Sequence, residues 1–134
     1  MVARKWGVVI LLVVFVVLAG AATVQAKPAT PAMLSPGSHN KYAAPVIGTL
    51  TPTLTWEAVP GISRYWVTVR PVGKKMYIWG VNVYDKTAVA IPANVLAPNQ
   101  NYFWGIQAID RQGNHSTAGV MYFTTFAQKK AGFR

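Results

Sequence analysis

Cysteine is absent from the 134 residues. No disulfide staple, thiolate nucleophile or cysteine metal site can be built, and an anchor attached through a cysteine thioether is excluded. Carboxylates are nearly as scarce, with Glu57, Asp85 and Asp110 the three in the chain. The two histidines are His39 and His115. None of these stands at a metal-ligand spacing such as His-x-x-x-His or His-x-His. No glycine-rich phosphate loop occurs. Asp110, His115 and Ser116 form the one grouping with catalytic residue types. They fall in a Gly-containing turn, where Asp and Ser usually satisfy backbone groups. The chain therefore reads as non-enzymatic, with no catalytic residues, no metal and no cofactor.

A long apolar run is also missing, except at the start. Arg4 and Lys5 precede apolar residues 8–19, and Val24-Gln25-Ala26 closes the segment. A basic end, a short apolar core and a Val-x-Ala site describe an export leader, an apolar signal helix cleaved after Ala26. Extended through Ala22 the core reaches 15 residues, short of the roughly 20 of a membrane span. An uncleaved anchor is the alternative, and only then is a membrane attachment expected. The expected location is outside the cell or in the periplasm or cell surface. Residues 27–134 number 108, room for one sandwich domain of about 100 residues that buries a core without staples.

Charge of one sign dominates. Beyond the leader, 11 Lys and Arg face the three carboxylates, for a net +8. They are dispersed, with no run longer than the pairs Lys74-Lys75 and Lys129-Lys130. Such a surface attracts polyanions without defining a site; plain solubility is the simpler use of it. The expected partners are an extracellular polysaccharide, a cell-wall polymer, a protein or an anionic surface. No nucleic acid partner is expected for an exported chain.

No helical period appears after the leader; period-two alternation does. Tyr102, Trp104, Ile106 and Ala108 alternate with Phe103, Gly105, Gln107 and Ile109, between polar turn clusters. Tyr65, Val67 and Val69 alternate with Trp66, Thr68 and Arg70. Leu54 and Trp56 share one face of residues 51–56, Val89 and Ile91 one face of 87–91, and 119–126 alternate likewise. Residues 76–84 are apolar on both parities, so their buried face is open. Four prolines punctuate residues 27–48, a Pro/Ala-rich linker with a candidate first strand at 32–34 and a loop over 38–48. The domain then spans 49–126, and 127–134 form a basic tail. Expected core residues are Trp56, Tyr65, Tyr102, Trp104 and Ile106. A tyrosine heading such a strand fixes a sandwich corner by hydrogen-bonding upstream backbone, here from Tyr102 to a carbonyl.

Leu96, Pro98, Tyr102, Trp104, Ile106, Ala108, Asp110, Gly113 and Ser116 together resemble the F strand and F–G turn of a fibronectin type III domain of the secreted bacterial type. Trp56 with Pro60 and Gly61 is similar to the end of its B strand, and Tyr65, Val67 and Val69 to strand C. The likeness covers residues 51–125 and is poor before them. It implies an all-β, immunoglobulin-like sandwich of about seven antiparallel strands, with C, C′, F and G in one sheet. It also implies extracellular contact with protein or carbohydrate. The Arg-Gly-Asp adhesion tripeptide is absent, which removes integrin-type binding.

Inward packing of Tyr65 and Tyr102 sends Trp66 and Phe103 outward. Tyr77 and Trp79 can join them, flanked by Arg70 and Lys75. Trp66, Trp79, Tyr77, Phe103 and Arg70 are the candidate ligand-binding residues. Rings on one open face offer large contact area at low entropy cost. Cover by the N-terminal segment or another chain, or stabilising cross-strand pairs, are the plainer uses. The function expected is a binding or adhesion module. The rival is a structural envelope or surface subunit that associates with itself.

Overall fold

The computed structural model describes residues 26–128. The leader before Ala26 and the charged part of the basic tail lie outside them. Among the described residues eight strands form two sheets. They are β1 (Met33–Ser35), β2 (Val46–Ile47), β3 (Thr53–Trp56), β4 (Ile62–Pro71), β5 (Trp79–Val83), β6 (Ala88–Ala90), β7 (Asn101–Asp110) and β8 (Gly119–Thr125). One sheet runs β1-β3-β6, the other β2-β8-β7-β4-β5. Seven strands pair antiparallel and one, β2, pairs parallel with β8.

The long strands form where alternation is cleanest. β4 and β7 pair across nine residue couples, from Ile62 with Asp110 to Pro71 with Tyr102. Their inward residues, Tyr65, Val67, Val69, Tyr102, Trp104, Ile106 and Ala108, are all buried. Trp56 and Leu54 from β3 and Phe123 from β8 meet them. Trp56 packs edge-on to Tyr65 at 5.3 Å and tilts against Trp104 at 6.4 Å. Burying a large apolar side chain of this kind contributes about 1.5–3 kcal/mol. The ends of the core are pinned by two tyrosine hydroxyls.

The expected loop over 38–48 is partly ordered into the sheet. Ser38 bridges Tyr122 in both directions, and Thr124 donates its N–H to Pro45 O at 2.9 Å. Proline lacks a donor but keeps its carbonyl, so it can serve at a sheet edge. A one-turn 3-10 helix, Lys41–Ala43, is capped by Asn40 Oδ1, which accepts from Tyr42 N–H. The first strand lies at Met33–Ser35, and Met33 reaches the core.

The strand expected over 76–84 is shorter. Residues 73–78 are held as a turn, with Lys74 N–H on Pro71 O and the Arg70 guanidinium on Lys75 O at 3.1 Å. Register settles the open parity: Trp79, Val81 and Val83 stand opposite Val69, Val67 and Tyr65 and so face inward.

Candidate functional site

Residues opposite one another in an antiparallel ladder share a face. The outer face of the five-stranded sheet is therefore read row by row. Arg70, Phe103 and Tyr122 form one row; Gly80, Thr68, Gly105 and Val120 form the next; Asn82, Trp66 and Gln107 form the third. The middle row has two glycines beside a threonine, so the outer surface dips between two rows of large side chains.

The dip is a hollow of about 220 Å³. Thr68 and Gly105 floor it; Trp66, Tyr77, Arg70 and Phe103 wall it. Trp66 and Tyr77 meet edge to face at 6.3 Å and 81°. Phe103 and Tyr122 tilt against each other at 5.5 Å. The Arg70 guanidinium carbon lies 4.8 Å from the Phe103 ring centre, a cation–π geometry. Its other hold, on Lys75 O, fixes the guanidinium at the rim. Strand glycines mark close approach: a Cβ on Gly105 would stand 3.3 Å from Thr68 Oγ1.

Four of the five candidate residues come together here: Trp66, Tyr77, Phe103 and Arg70. Trp79 does not join them. It stands opposite Val69 on the inner side and packs, partly buried, against the core. The turn at 73–78 sets that register, so Tyr77 precedes the strand and reaches the outer face while Trp79 turns under. Tyr122, Gly80, Gly105 and Gln107 were not singled out from the sequence. The shared parity of Val120 and Tyr122 and the two strand glycines were the available signals.

Two of the three residues of the catalytic-type grouping, Asp110 and Ser116, bond within and beside their turn, and His115 bridges Ile109 through the backbone. Asp110 Oδ1 accepts the N–H groups of Gln112 and Asn114 at 3.0 and 2.8 Å, and its Oδ2 accepts from Asn114 Nδ2. Desolvation pushes the Asp110 carboxyl up, but hydrogen bonds from Asn114, Gln112 and Gly113 outweigh it and hold it below 3.8. Ser116 Oγ accepts from Ala108 N–H at 2.9 Å and donates to Thr117 O at 3.0 Å. His39 Nδ1 donates to Val120 O at 2.8 Å. Among the described residues no three His, Asp or Glu side chains gather as a metal site.

The sequence matches no family model and no curated protein. Solved structures do match. A computationally redesigned β-sandwich protein superposes with a TM-score of 0.59 at 18% identity, over 83% of this chain and 100% of its own. The fn3 domain of human collagen alpha-1(XX) chain gives 0.57 at 20%, over 85% and 100%. An Fn3-like protein from Clostridium thermocellum gives 0.50 at 16%, over 81% and 100%. With its two sheets in this order and these neighbours, the chain has the fibronectin type III fold of the immunoglobulin-like sandwiches.

Proposed function

We propose that this chain is an exported, non-enzymatic binding or adhesion module. It holds an extracellular carbohydrate or protein on the outer face of the β2-β8-β7-β4-β5 sheet. The observation that carries this reading is the gathering of Trp66, Tyr77, Phe103 and Arg70 around one hollow floored by Thr68 and Gly105. Rings at the walls supply stacking and burial. Arg70, steadied on Phe103, supplies charge and donors for an anionic or hydroxyl-bearing group. Export rests on the leader read in the sequence.

Binding of the purified protein to cell-wall and polysaccharide panels and to extracellular proteins tests it. Trp66→Ala with Phe103→Ala is expected to abolish the binding found while melting stays close to wild type. Retained affinity in that folded variant removes the site.

A second reading, a self-associating structural subunit, is favoured by a different observation. Among the described residues β1 and β6 end one sheet and β2 and β5 the other, and open edges invite another chain. Light scattering separates the two: a monomer that binds a ligand supports the module, and an assembly without one supports the subunit.

A further inference from the structure

Charge is segregated along the strands. All three carboxylates of the chain lie at one end of the sandwich: Glu57 follows β3, Asp85 follows β5, and Asp110 closes β7 opposite Ile62. Lys86 and Arg111 neighbour them in the same turns, and Arg64, opposite Ile109, stands near that end. The other end carries the β4–β5 turn, the Lys41–Ala43 helix and the last residues of β8. Lys41, Arg70, Lys74 and Lys75 gather there, with no Asp or Glu beside them among the described residues.

Exposed apolar side chains crowd the same basic end. Tyr42 is 87% exposed, Met76 81% and Val46 68%, with Val72, Tyr77 and Ile78 also exposed. Of the eight large apolar side chains exposed among the described residues, only Leu34 and Tyr84 lie elsewhere. The set is continuous across the sheet. Val46 stands opposite Thr124, Val72 N–H bonds Asn101 O, and Tyr42, Val72, Tyr122 and Thr124 line one hollow. Met76 and Ile78 belong to the turn over 73–78 that follows Val72.

We propose that this basic end docks on an anionic lipid bilayer. The exposed apolar side chains sit on turns, a 3-10 helix and the β2 edge of the sheet. Exposed apolar tips interleaved with lysines suit a headgroup boundary, where the tips enter and the ammonium groups reach phosphates. The carboxylates do not oppose this. β4 has 10 residues, so at about 3.3 Å each they stand on the order of 30 Å away, against a Debye length of about 8 Å. The proposal uses Lys41, Tyr42, Lys74, Lys75, Met76 and Ile78; Arg70 and Tyr77, which also wall the ligand hollow, are not needed for it.

The test uses the full chain, whose lack of cysteine permits single-site labelling. An environment-sensitive fluorophore is placed through Met76→Cys at the basic end, or through Gln112→Cys at the acidic end. The probe is a vesicle of phosphatidylcholine with phosphatidylglycerol, against phosphatidylcholine alone. The label at position 76 is expected to blue-shift on anionic vesicles, and the label at position 112 to stay unchanged. Lys74→Glu with Lys75→Glu in the position-76 background is expected to weaken that response at least about twentyfold, at about fivefold per lysine. An equal response at both positions, no response at 76, or full retention in the lysine variant overturns the proposal. So does the same shift at 76 produced by dextran sulfate without lipid, which would make the patch a general polyanion site.

Discussion

The six-membered ring of Trp66 lies over Gly80: a Cβ built there would stand 2.8 Å from Trp66 Cη2 and 3.0 Å from Cζ2. Gly80 is opposite Thr68 on β5, so the edge strand shapes one wall of the hollow through the absence of a side chain. Gly80→Ala is expected to swing the indole away, because the clash falls on the far end of a side chain and not on backbone. Ligand affinity should fall by up to about tenfold, the worth of an aromatic contact of this kind. Melting temperature should barely change. Calorimetric titration beside thermal melting checks both halves.

The two corner tyrosines should behave alike. Tyr102 Oη accepts the Ala97 N–H at 2.8 Å, and Tyr65 Oη accepts the Val59 N–H at 2.9 Å. Phenylalanine at either position leaves an amide without its partner, at a cost of about 1–2 kcal/mol. Tyr65 pairs with Ala108, six residues along β7 from Tyr102, so the sites are on the order of 20 Å apart. The two costs should therefore add within about 0.5 kcal/mol. Urea midpoints of Tyr65→Phe, Tyr102→Phe and the double variant give the comparison.

The buried tryptophans should differ. Trp104 Nε1 donates to Pro36 O at 2.8 Å, tying the N-terminal segment to the core. Trp56 Nε1 is buried with no partner among the described residues. Both phenylalanine variants lose ring area, but only Trp104→Phe strands a carbonyl, while Trp56→Phe removes an unsatisfied donor. Trp104→Phe should be the more destabilising by about 1 kcal/mol or more. Equal denaturation midpoints would contradict this.

Acid should loosen the β7–β8 turn. The folded carboxyl of Asp110 titrates below 3.8, so its contribution is present above that value and lost as pH falls through the folded one. Asp110→Asn should lower stability at neutral pH and flatten its loss in acid. Denaturant midpoints at neutral pH and at about pH 3 read both effects.

What was legible in the sequence follows from period two. Trp56, Tyr65, Tyr102, Trp104 and Ile106 announce a core because they fall on one parity of period-two runs between turn clusters, and each is buried. The same parity sends Trp66 and Phe103 outward, and the rows of β4 and β7 place them on one face. Trp79 was not legible: both parities of its segment are apolar, and a turn held by Arg70 and Lys75 decides the register. β2 was hidden among prolines because it is two residues long and follows Pro45, whose carbonyl still accepts the Thr124 N–H. The Tyr102 corner was legible as a contact but not in its polarity, since the hydroxyl accepts from Ala97 and was expected to reach a carbonyl. Gly80 and Gly105 acquire meaning only beside Thr68, which register alone supplies.

Indole N–H signals give the most direct measurement. In a titration with any polysaccharide or protein that binds the chain, the Trp66 signal is predicted to shift with occupancy, while those of the buried Trp56 and Trp104 hold still. Saturable binding that leaves the Trp66 signal unmoved would contradict the account.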